Sequence, residues 1–207
     1  MSEAAAPADV PAPEELARAN VYGLIARLFQ AAPDQQLLSE LLHAPQNDEG
    51  AAATASGREL EAAWRALIAA CRDAFPVRLE NEHTDLFASP GRAEVTPYLM
   101  HYVMRYESET PLVGLRAQLA RWSLGRRPGA SEPEDHVAAL CEVMRIAIAM
   151  QQRPVEEQRE FFQAYLYAGA VAFCDAVTAS PKSNFYRYVA RFARAFLELE
   201  NEAFEVF

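Results

Sequence analysis

Apolar residues recur along most of this chain at intervals of three and four positions, which is the period of an amphipathic α-helix. No stretch alternates apolar and polar residues as a half-buried strand would. The pattern therefore predicts an all-α fold, a single-domain bundle of about eight to ten helices. The clearest stripes are Val21, Leu24, Ile25 and Leu28; Leu60, Trp64, Leu67, Ile68 and Cys71; Val137, Leu140, Cys141, Met144 and Ile148; and Phe185, Tyr188, Val189, Phe192 and Phe196.

Segments without this periodicity set the expected domain limits. Residues 1–13 are rich in Ala, Pro and acids and predict a disordered tail, which leaves an all-α domain over 14–207. Small and polar residues at 44–57 predict a mobile surface loop. Weaker helical patterns cover about 34–43, 76–87, 111–123 and 156–177.

Composition narrows the class of protein. The chain of 207 residues is 51% hydrophobic, enough for one buried core. The N-terminal residues have no basic and apolar pattern of a secretory signal, and no later run is long enough to span a membrane, so we expect a cytoplasmic protein without membrane insertion. A net charge of −10 would repel nucleic acid and attract a cationic partner. The three cysteines are far apart among apolar residues and predict buried free thiols.

Two Glu-x-x-His pairs suggest a di-iron helical bundle, which would need both pairs to point inward. Helical geometry places Glu40 and His43 opposite a leucine face, so we expect both side chains in solvent. His83, of the pair Glu80/His83, shares a face with apolar residues and is predicted to be a hydrogen-bonded core histidine. We therefore expect no metal site, and no catalytic motif favours an enzyme.

The stretch SEPEDH, residues 131 to 136, precedes an apolar helical pattern. Ser131 and Glu134 have the spacing of a capping box, and the acids suit the positive end of a helix dipole. This leaves His136 unexplained, because a cation is misplaced in a first helical turn. A neutral, hydrogen-bonding His136 beside Asp135 is the functional interpretation, and both interpretations stay open.

The block at 81–102 contains a second candidate. A helix is expected to end on Leu86 and Phe87, and Pro97 with Tyr98 would begin another helix that carries Tyr102. Taken alone, this arrangement predicts a helix–loop–helix corner with aromatic packing.

The ordered set of these motifs resembles the TorD/DmsD/NarJ family of redox-enzyme maturation chaperones. The resemblance covers nearly the whole chain and includes 21–29, 161–177 and 185–200. Two positions depart from the family pattern: His83 stands where an aromatic residue is usual, and the segment 96–102 replaces a more common Pro-Pro-Tyr-Glu-Ser-x-Tyr. The motifs are His83-x-x-Leu86-Phe87, Gly91, Pro97-Tyr98, Tyr102 and Pro133-Glu134-Asp135-His136.

This resemblance implies a TorD-like fold and a cytoplasmic chaperone without a cofactor of its own. Such a chaperone would bind the twin-arginine leader, the apoprotein, or both, of a molybdoenzyme until its molybdopterin guanine dinucleotide cofactor is inserted. The Glu-Val-Thr-Pro-Tyr variant at 94–98 resembles the branch that serves formate-dehydrogenase-type enzymes. We expect a monomer or a domain-swapped dimer.

A leader with a basic end and an apolar helix requires an apolar groove rimmed by acids. We expect the acids around its mouth to be Glu94, Glu132, Glu134 and Asp135. The alternative is a ligand-binding or dimerisation domain of an all-α regulator, whose basic cluster would be Arg116, Arg121, Arg126 and Arg127. The predicted peptide-binding residues are Leu86, Phe87, Pro97, Tyr98, Tyr102, Trp122, Glu132, Pro133, Glu134, Asp135 and His136.

Overall fold

The computed structural model describes residues 11–45, 52–88, 93–103, 111–125 and 133–206. Within these residues the all-α prediction is confirmed, with one isolated antiparallel bridge between Tyr98 and His136. Two π-helical turns, Thr84–Ala88 and Phe162–Leu166, continue the fourth helix and join the eighth to the ninth. The helices are α1 Pro13–Gln30, α2 Gln35–Leu42, α3 Ala55–Arg72, α4 Pro76–His83, α5 Met100–Val103, α6 Pro111–Arg121, α7 Val137–Ala149, α8 Val155–Phe161, α9 Tyr167–Ala179 and α10 Tyr186–Val206.

Local start signals explain several of these boundaries. Pro13 opens α1, where its missing N–H costs nothing because the first amides of a helix have no intrahelical partner. Asp34 caps α2 by accepting a hydrogen bond of 2.8 Å from the Leu37 amide. Thr54 caps α3 in the same way, accepting from the Gly57 amide at 3.0 Å.

The predicted mobile loop at 44–57 is too long at its C-terminal end, because α3 begins inside it, directly after Thr54. Residues 55–57 belong to α3, and Ser56 and Gly57 are buried. Residues 46–51 of that loop, and residues 1–10 of the predicted disordered tail, lie outside the described residues. The described chain becomes helical at Pro13, one residue before the predicted domain boundary.

One continuous hydrophobic core joins the long helices. Helix α1 packs along α7, and α10 lies between α3 and α9. Large aromatic side chains fill the contacts, and each contributes roughly 1.5–3 kcal/mol by leaving water. Fully buried examples are Tyr22, Phe161, Phe162, Phe173 and Phe204.

A buried ion pair ties the first helix to the last. Arg18 donates two hydrogen bonds of 2.8 Å to the Glu200 carboxylate, and the Tyr22 hydroxyl donates a third at 3.0 Å. Glu200 is only 4% exposed. Its carboxylate is stabilised in the interior because these donors surround it. Loss of any one donor would leave a desolvated carboxylate short of a partner.

The cysteine prediction is confirmed. Cys71, Cys141 and Cys174 are free and buried. Burial raises the pKa of Cys71 to about 11 and that of Cys141 to about 12. In the part of the chain that the structure describes, no helix is both long and apolar enough to cross a bilayer.

Candidate functional site

The motif that contains Pro97 and Tyr98 and the motif that contains Asp135 and His136 are separated by about 35 residues in sequence. They meet in a short antiparallel pairing. The Leu99 amide donates to the Asp135 carbonyl at 2.9 Å, and the Val137 amide donates to the Pro97 carbonyl at 2.9 Å. We call residues 97–102 together with 133–137 the bridge site. Pro97 and Tyr98 therefore do not begin a helix as predicted, because their backbone is extended for pairing and α5 begins only at Met100.

His136 is the N-cap of α7. Its Nδ1 atom accepts a hydrogen bond of 3.1 Å from the Ala138 amide. An accepting Nδ1 carries no proton, so this geometry agrees with a neutral, hydrogen-bonding histidine. Because α7 begins at Val137 and His136 is its N-cap, Ser131 is not the N-cap of this helix; Ser131 and Glu132 themselves lie outside the described residues.

Asp135 holds the bridge site from inside. The side chain is buried, and its Oδ2 atom accepts from the Met100 amide at 3.3 Å, at the start of α5. Burial raises the pKa of the Asp135 carboxyl, since the ionised form loses hydration that this hydrogen bond only partly replaces. The expectation that Asp135 stands at the mouth of a groove is corrected, because its carboxylate faces the protein interior.

The outer side of the bridge site carries aromatic and acidic groups. Tyr98 is partly exposed, with its ring 5.7 Å from the His136 ring. Tyr102 is half-buried and donates its hydroxyl to the Thr96 carbonyl at 2.8 Å. Burial raises the pKa of Tyr102 to about 12. The exposed faces of the two tyrosines are accessible to a partner without any rearrangement of the core.

Glu134 forms a fork-like pair with Arg116 of α6, with N–O distances of 3.2 and 3.1 Å. Glu94 is exposed and lies 3.6 Å from the Lys182 ammonium. These acids are therefore paired in this conformation. A basic peptide would have to compete with Arg116 for Glu134, which favours moderate rather than tight binding.

The other predicted groove residues are inside the core. Leu86 is fully buried, and Phe87 packs in an aromatic cluster with Phe29 and Phe173. Trp122 is also buried, under the Arg153 guanidinium at 4.7 Å. These side chains present almost no surface in this conformation, so a leader could contact them only after the core opens. Of the predicted prolines, Pro97 is buried and Pro133 is partly exposed.

Leu86 is nevertheless connected to the bridge site through the backbone. Its carbonyl accepts from the Val95 amide at 2.9 Å, just before the Pro97 segment. The sequence motif around Leu86 and Phe87 therefore anchors the chain that forms the site.

Gly169 is a site residue that sequence reasoning missed. A Cβ atom at this position would lie 2.8 Å from the Leu99 carbonyl oxygen and 2.9 Å from the Leu99 Cβ. The absence of a side chain lets α9 support the 97–102 segment from below. A run of small residues, AGA at 168–170, was the available signal, but it names no partner.

Glu82 was missed as well. Its carboxylate accepts hydrogen bonds from the amides of Asn184, Phe185 and Tyr186, at 2.7, 3.1 and 2.9 Å. Because the donors lie at the N-terminal end of α10, Glu82 acts as a remote cap on that helix. No local sequence pattern announces a cap that comes from about a hundred residues away.

The two Glu-x-x-His pairs differ in their surroundings. Glu40 and His43 are exposed as predicted. His83 is partly buried, its Nε2 lies 3.4 Å from the Phe29 carbonyl oxygen, and burial lowers its pKa. Within the described ranges, no three His, Cys, Asp or Glu side chains lie close enough to hold a metal ion.

Comparison with known proteins assigns the chain to a protein family. Residues 54–175, which include both halves of the bridge site, match the nitrate reductase delta subunit family. The chain belongs to this family. Chaperone protein TorD of Shewanella loihica is 27% identical over 203 residues, covering 92% of this chain and 94% of the TorD chain. The resemblance to the TorD/DmsD/NarJ family is thereby confirmed.

A crystal structure from Archaeoglobus fulgidus, assigned to redox enzyme maturation, shares the fold of this TorD-family chain. The TM-score is 0.52 at 19% identity, covering 87% of this chain and 93% of the other. The relatives support a redox-enzyme maturation chaperone rather than an enzyme, as the sequence predicted.

Proposed function

We propose that this protein is a cytoplasmic chaperone for a molybdoenzyme, and that it binds the enzyme's twin-arginine leader, with or without the apoprotein. It would keep the leader from export until the molybdenum cofactor has been inserted. The observation that carries the proposal is the bridge site, in which the two motifs of the family resemblance form one surface.

The charge of the protein supports a basic ligand. The chain carries a net charge of −10, so a peptide with adjacent arginines would be attracted before contact. Glu94 lies just before Tyr98 in sequence, and Glu134 precedes Asp135, whose carbonyl pairs with the Leu99 amide, so both acids belong to the surroundings of the partly exposed Tyr98. Each acid is paired with a cation of the protein itself, so the incoming arginines would exchange partners rather than neutralise bare charges.

The apolar part of a leader needs apolar surface. Tyr98 and Tyr102 are partly exposed, and Val103 is 40% exposed at the end of α5. Burial of this surface at roughly 25 cal/mol per Å² could supply several kcal/mol before the cost of ordering the peptide. We therefore expect about micromolar affinity, weak enough for later release to the export machinery.

The first test is a calorimetric titration with twin-arginine leader peptides from the molybdoenzymes of the source genome. Each leader is compared with a twin-Lys version of the same peptide, because lysine preserves charge but not the planar guanidinium. Micromolar binding to one leader, weakened in its twin-Lys version, supports the proposal and names the client. Binding of every leader with its twin-Lys version at equal affinity would reduce the interaction to nonspecific charge attraction.

Site variants connect that binding to the bridge site. Tyr98→Ala with Glu134→Gln removes one exposed ring and one acid, and we expect about tenfold weaker leader binding. The matched control is Tyr188→Ala with Glu142→Gln, which changes the same residue types on α10 and α7. An unchanged affinity in the bridge-site variant would contradict the assignment of this surface.

We also propose a formate-dehydrogenase-type enzyme as the client. The support is the sequence Glu-Val-Thr-Pro-Tyr at 94–98, which contributes Pro97 and Tyr98 to the bridge site. In the leader titrations, the formate-dehydrogenase leader should bind at least tenfold more tightly than leaders of other molybdoenzymes. Preference for another leader would reject this client while leaving the chaperone role in place.

A further inference from the structure

An open apolar groove lies between α1 and α3. Helix α3 packs along α10, whereas α1 packs mainly along α7, and residues of all three helices line the groove. The groove has a volume of about 470 Å³, within the range of about 300–1,000 Å³ that is usual for binding pockets. Its apolar walls are formed by Val21, Leu24, Leu60, Trp64, Phe192 and Leu199.

The length and spacing of the walls match a helix. On α3 the wall runs from Gly57 through Leu60 to Trp64, which covers two helical turns or about 10 Å. Phe192 and Leu199 cover the same length on α10. A helix with apolar residues at i, i+3 or i+4, and i+7 would place one side chain at each level.

The Trp64 side chain is held in place by two contacts before any ligand arrives. The Trp64 ring packs on Phe192 with a centroid distance of 5.1 Å. Its Nε1–H group donates to the Pro45 carbonyl at 3.3 Å. A pre-organised wall reduces the ordering cost of binding.

A carboxylate in the wall indicates the charge of the occupant. The Oε2 atom of Glu61 is buried and has no hydrogen-bond partner among the described residues, although Arg65 follows one turn later and lines an adjoining hollow. A desolvated carboxylate oxygen favours the approach of a cation or another strong donor.

Charged groups near the N-terminal end of α3 have contacts of their own. Glu202 accepts from the Ser56 hydroxyl at 2.5 Å, and Arg58 donates to the carbonyls of Ala52 and Ala53 at 3.4 and 3.0 Å. Glu61 is therefore the acid in the groove wall whose buried oxygen still lacks a donor in the described structure.

We propose that this groove binds an amphipathic helix of the client protein, with a lysine or arginine of that helix placed on Glu61. The proposal rests on the chaperone function proposed above and adds a second client contact. None of the groove residues belongs to the bridge site, so the two surfaces can be altered separately.

The test uses a designed helical peptide of about eighteen residues, long enough to hold a helix. It carries leucines at i, i+3, i+4 and i+7 and one lysine beside that face, and a second peptide replaces the lysine by glutamine. Fluorescence anisotropy measures both peptides against the full chain. The variants are Leu60→Glu, Glu61→Gln and, as matched control, Glu59→Gln, an exposed acid of the same helix.

We expect Leu60→Glu to weaken both peptides at least tenfold and Glu61→Gln to weaken only the lysine peptide, by about threefold to tenfold. Glu59→Gln should change neither peptide. Circular dichroism and thermal melting check that Leu60→Glu folds, and Glu61→Gln keeps the test decisive if it does not.

Three results would overturn the proposal. One is equal weakening of the lysine peptide by Glu59→Gln and Glu61→Gln, which indicates diffuse charge. Another is no binding of either peptide, which indicates a groove closed by the chain itself. The last is a dimer that Leu60→Glu dissociates, which makes a second copy the occupant. Bridge-site variants serve as the reference: they should weaken the twin-arginine leader and leave the designed peptide unaffected, so the two proposals can fail independently.

Discussion

At the scale of single residues, the candidate site depends on a buried acid that serves the backbone. Asp135 accepts from the Met100 amide while its own carbonyl accepts from the Leu99 amide. Both contacts fix the path of the 97–102 segment, which carries the partly exposed Tyr98 and the half-buried Tyr102. Asp135 is therefore a positioning residue, and its influence on a leader would pass through Tyr98 and Tyr102.

This role predicts different results for two substitutions of Asp135. Asp135→Asn retains an acceptor for the Met100 amide and removes a buried charge, so we expect equal or greater stability at pH 7. Asp135→Ala leaves that amide unpaired and should cost about 1–2 kcal/mol of unfolding free energy. Urea denaturation followed by circular dichroism measures both.

The pH dependence provides a second readout for Asp135. Its folded-state pKa is raised by burial, so the folded state retains this proton more readily than the unfolded state does. The Asp135 contribution to stability should therefore fall as pH rises from the ordinary carboxyl value through the raised one. Asp135→Asn should lack this pH dependence. The difference in unfolding free energy between the wild type and Asp135→Asn should therefore change with pH in this range, and a constant difference would contradict the assignment.

The sequence predicted the burial or exposure of some residues and not of others, for a physical reason. The solvent position of His43 and the core position of His83 follow from the helical period, which is a local property. The partners of Asp135 follow from tertiary pairing, and no spacing within the motif contains that information. The buried positions of Leu86 and Trp122 were missed for the same reason, since a helix end can lie at the surface or inside.

At the scale of elements, the helices were predictable and their junctions were not. The long stripes correctly placed α1, α3, α7 and α10 because each helix buries one face over several turns. The pattern at 156–177 predicted one helix, but the structure inserts a π-helical turn at Phe162–Leu166. A single wide turn shifts the periodicity too little to be detected in sequence.

Glu82 provides a test of one such junction. Glu82→Ala removes the acceptor for three amides at the start of α10, and we expect a loss of about 1–3 kcal/mol in unfolding free energy. Glu80→Ala, which removes an exposed acid from the same helix, should change stability by less than about 0.5 kcal/mol. Equal losses in the two variants would show that the Glu82 contacts contribute nothing specific. Denaturant titrations measure both.

Gly169 tests the contact between α9 and the bridge site. Gly169→Ala should push Leu99 outward, because the added methyl group meets its carbonyl oxygen and Cβ. We expect about 1–3 kcal/mol of destabilisation and weaker leader binding from the same change. Gly125→Ala is the control, since a Cβ there meets nothing within 4 Å. Thermal melting and leader calorimetry would contradict this account if Gly169→Ala behaved like Gly125→Ala.

At the scale of the whole molecule, charge acts before any contact forms. The net charge of −10 extends an attractive field to a basic leader, and at physiological salt that field decays over about 8 Å. The association rate should therefore fall about tenfold between 0.05 and 0.5 M NaCl, while the dissociation rate changes little. Stopped-flow fluorescence with a labelled leader measures both rates. A salt effect confined to dissociation would place the electrostatic contribution in the bound state instead.

The buried cysteines are built-in labelling sites that report on local opening of the helices. Each of the three thiols is shielded by packing, and burial keeps its pKa high, so a thiol reagent at neutral pH reacts only when the surrounding helices separate. Cys71 reports on α3, Cys141 on α7 and Cys174 on α9. Pulse labelling followed by mass spectrometry would thus reveal which helices loosen when a client is taken up, without introducing a single probe into the chain.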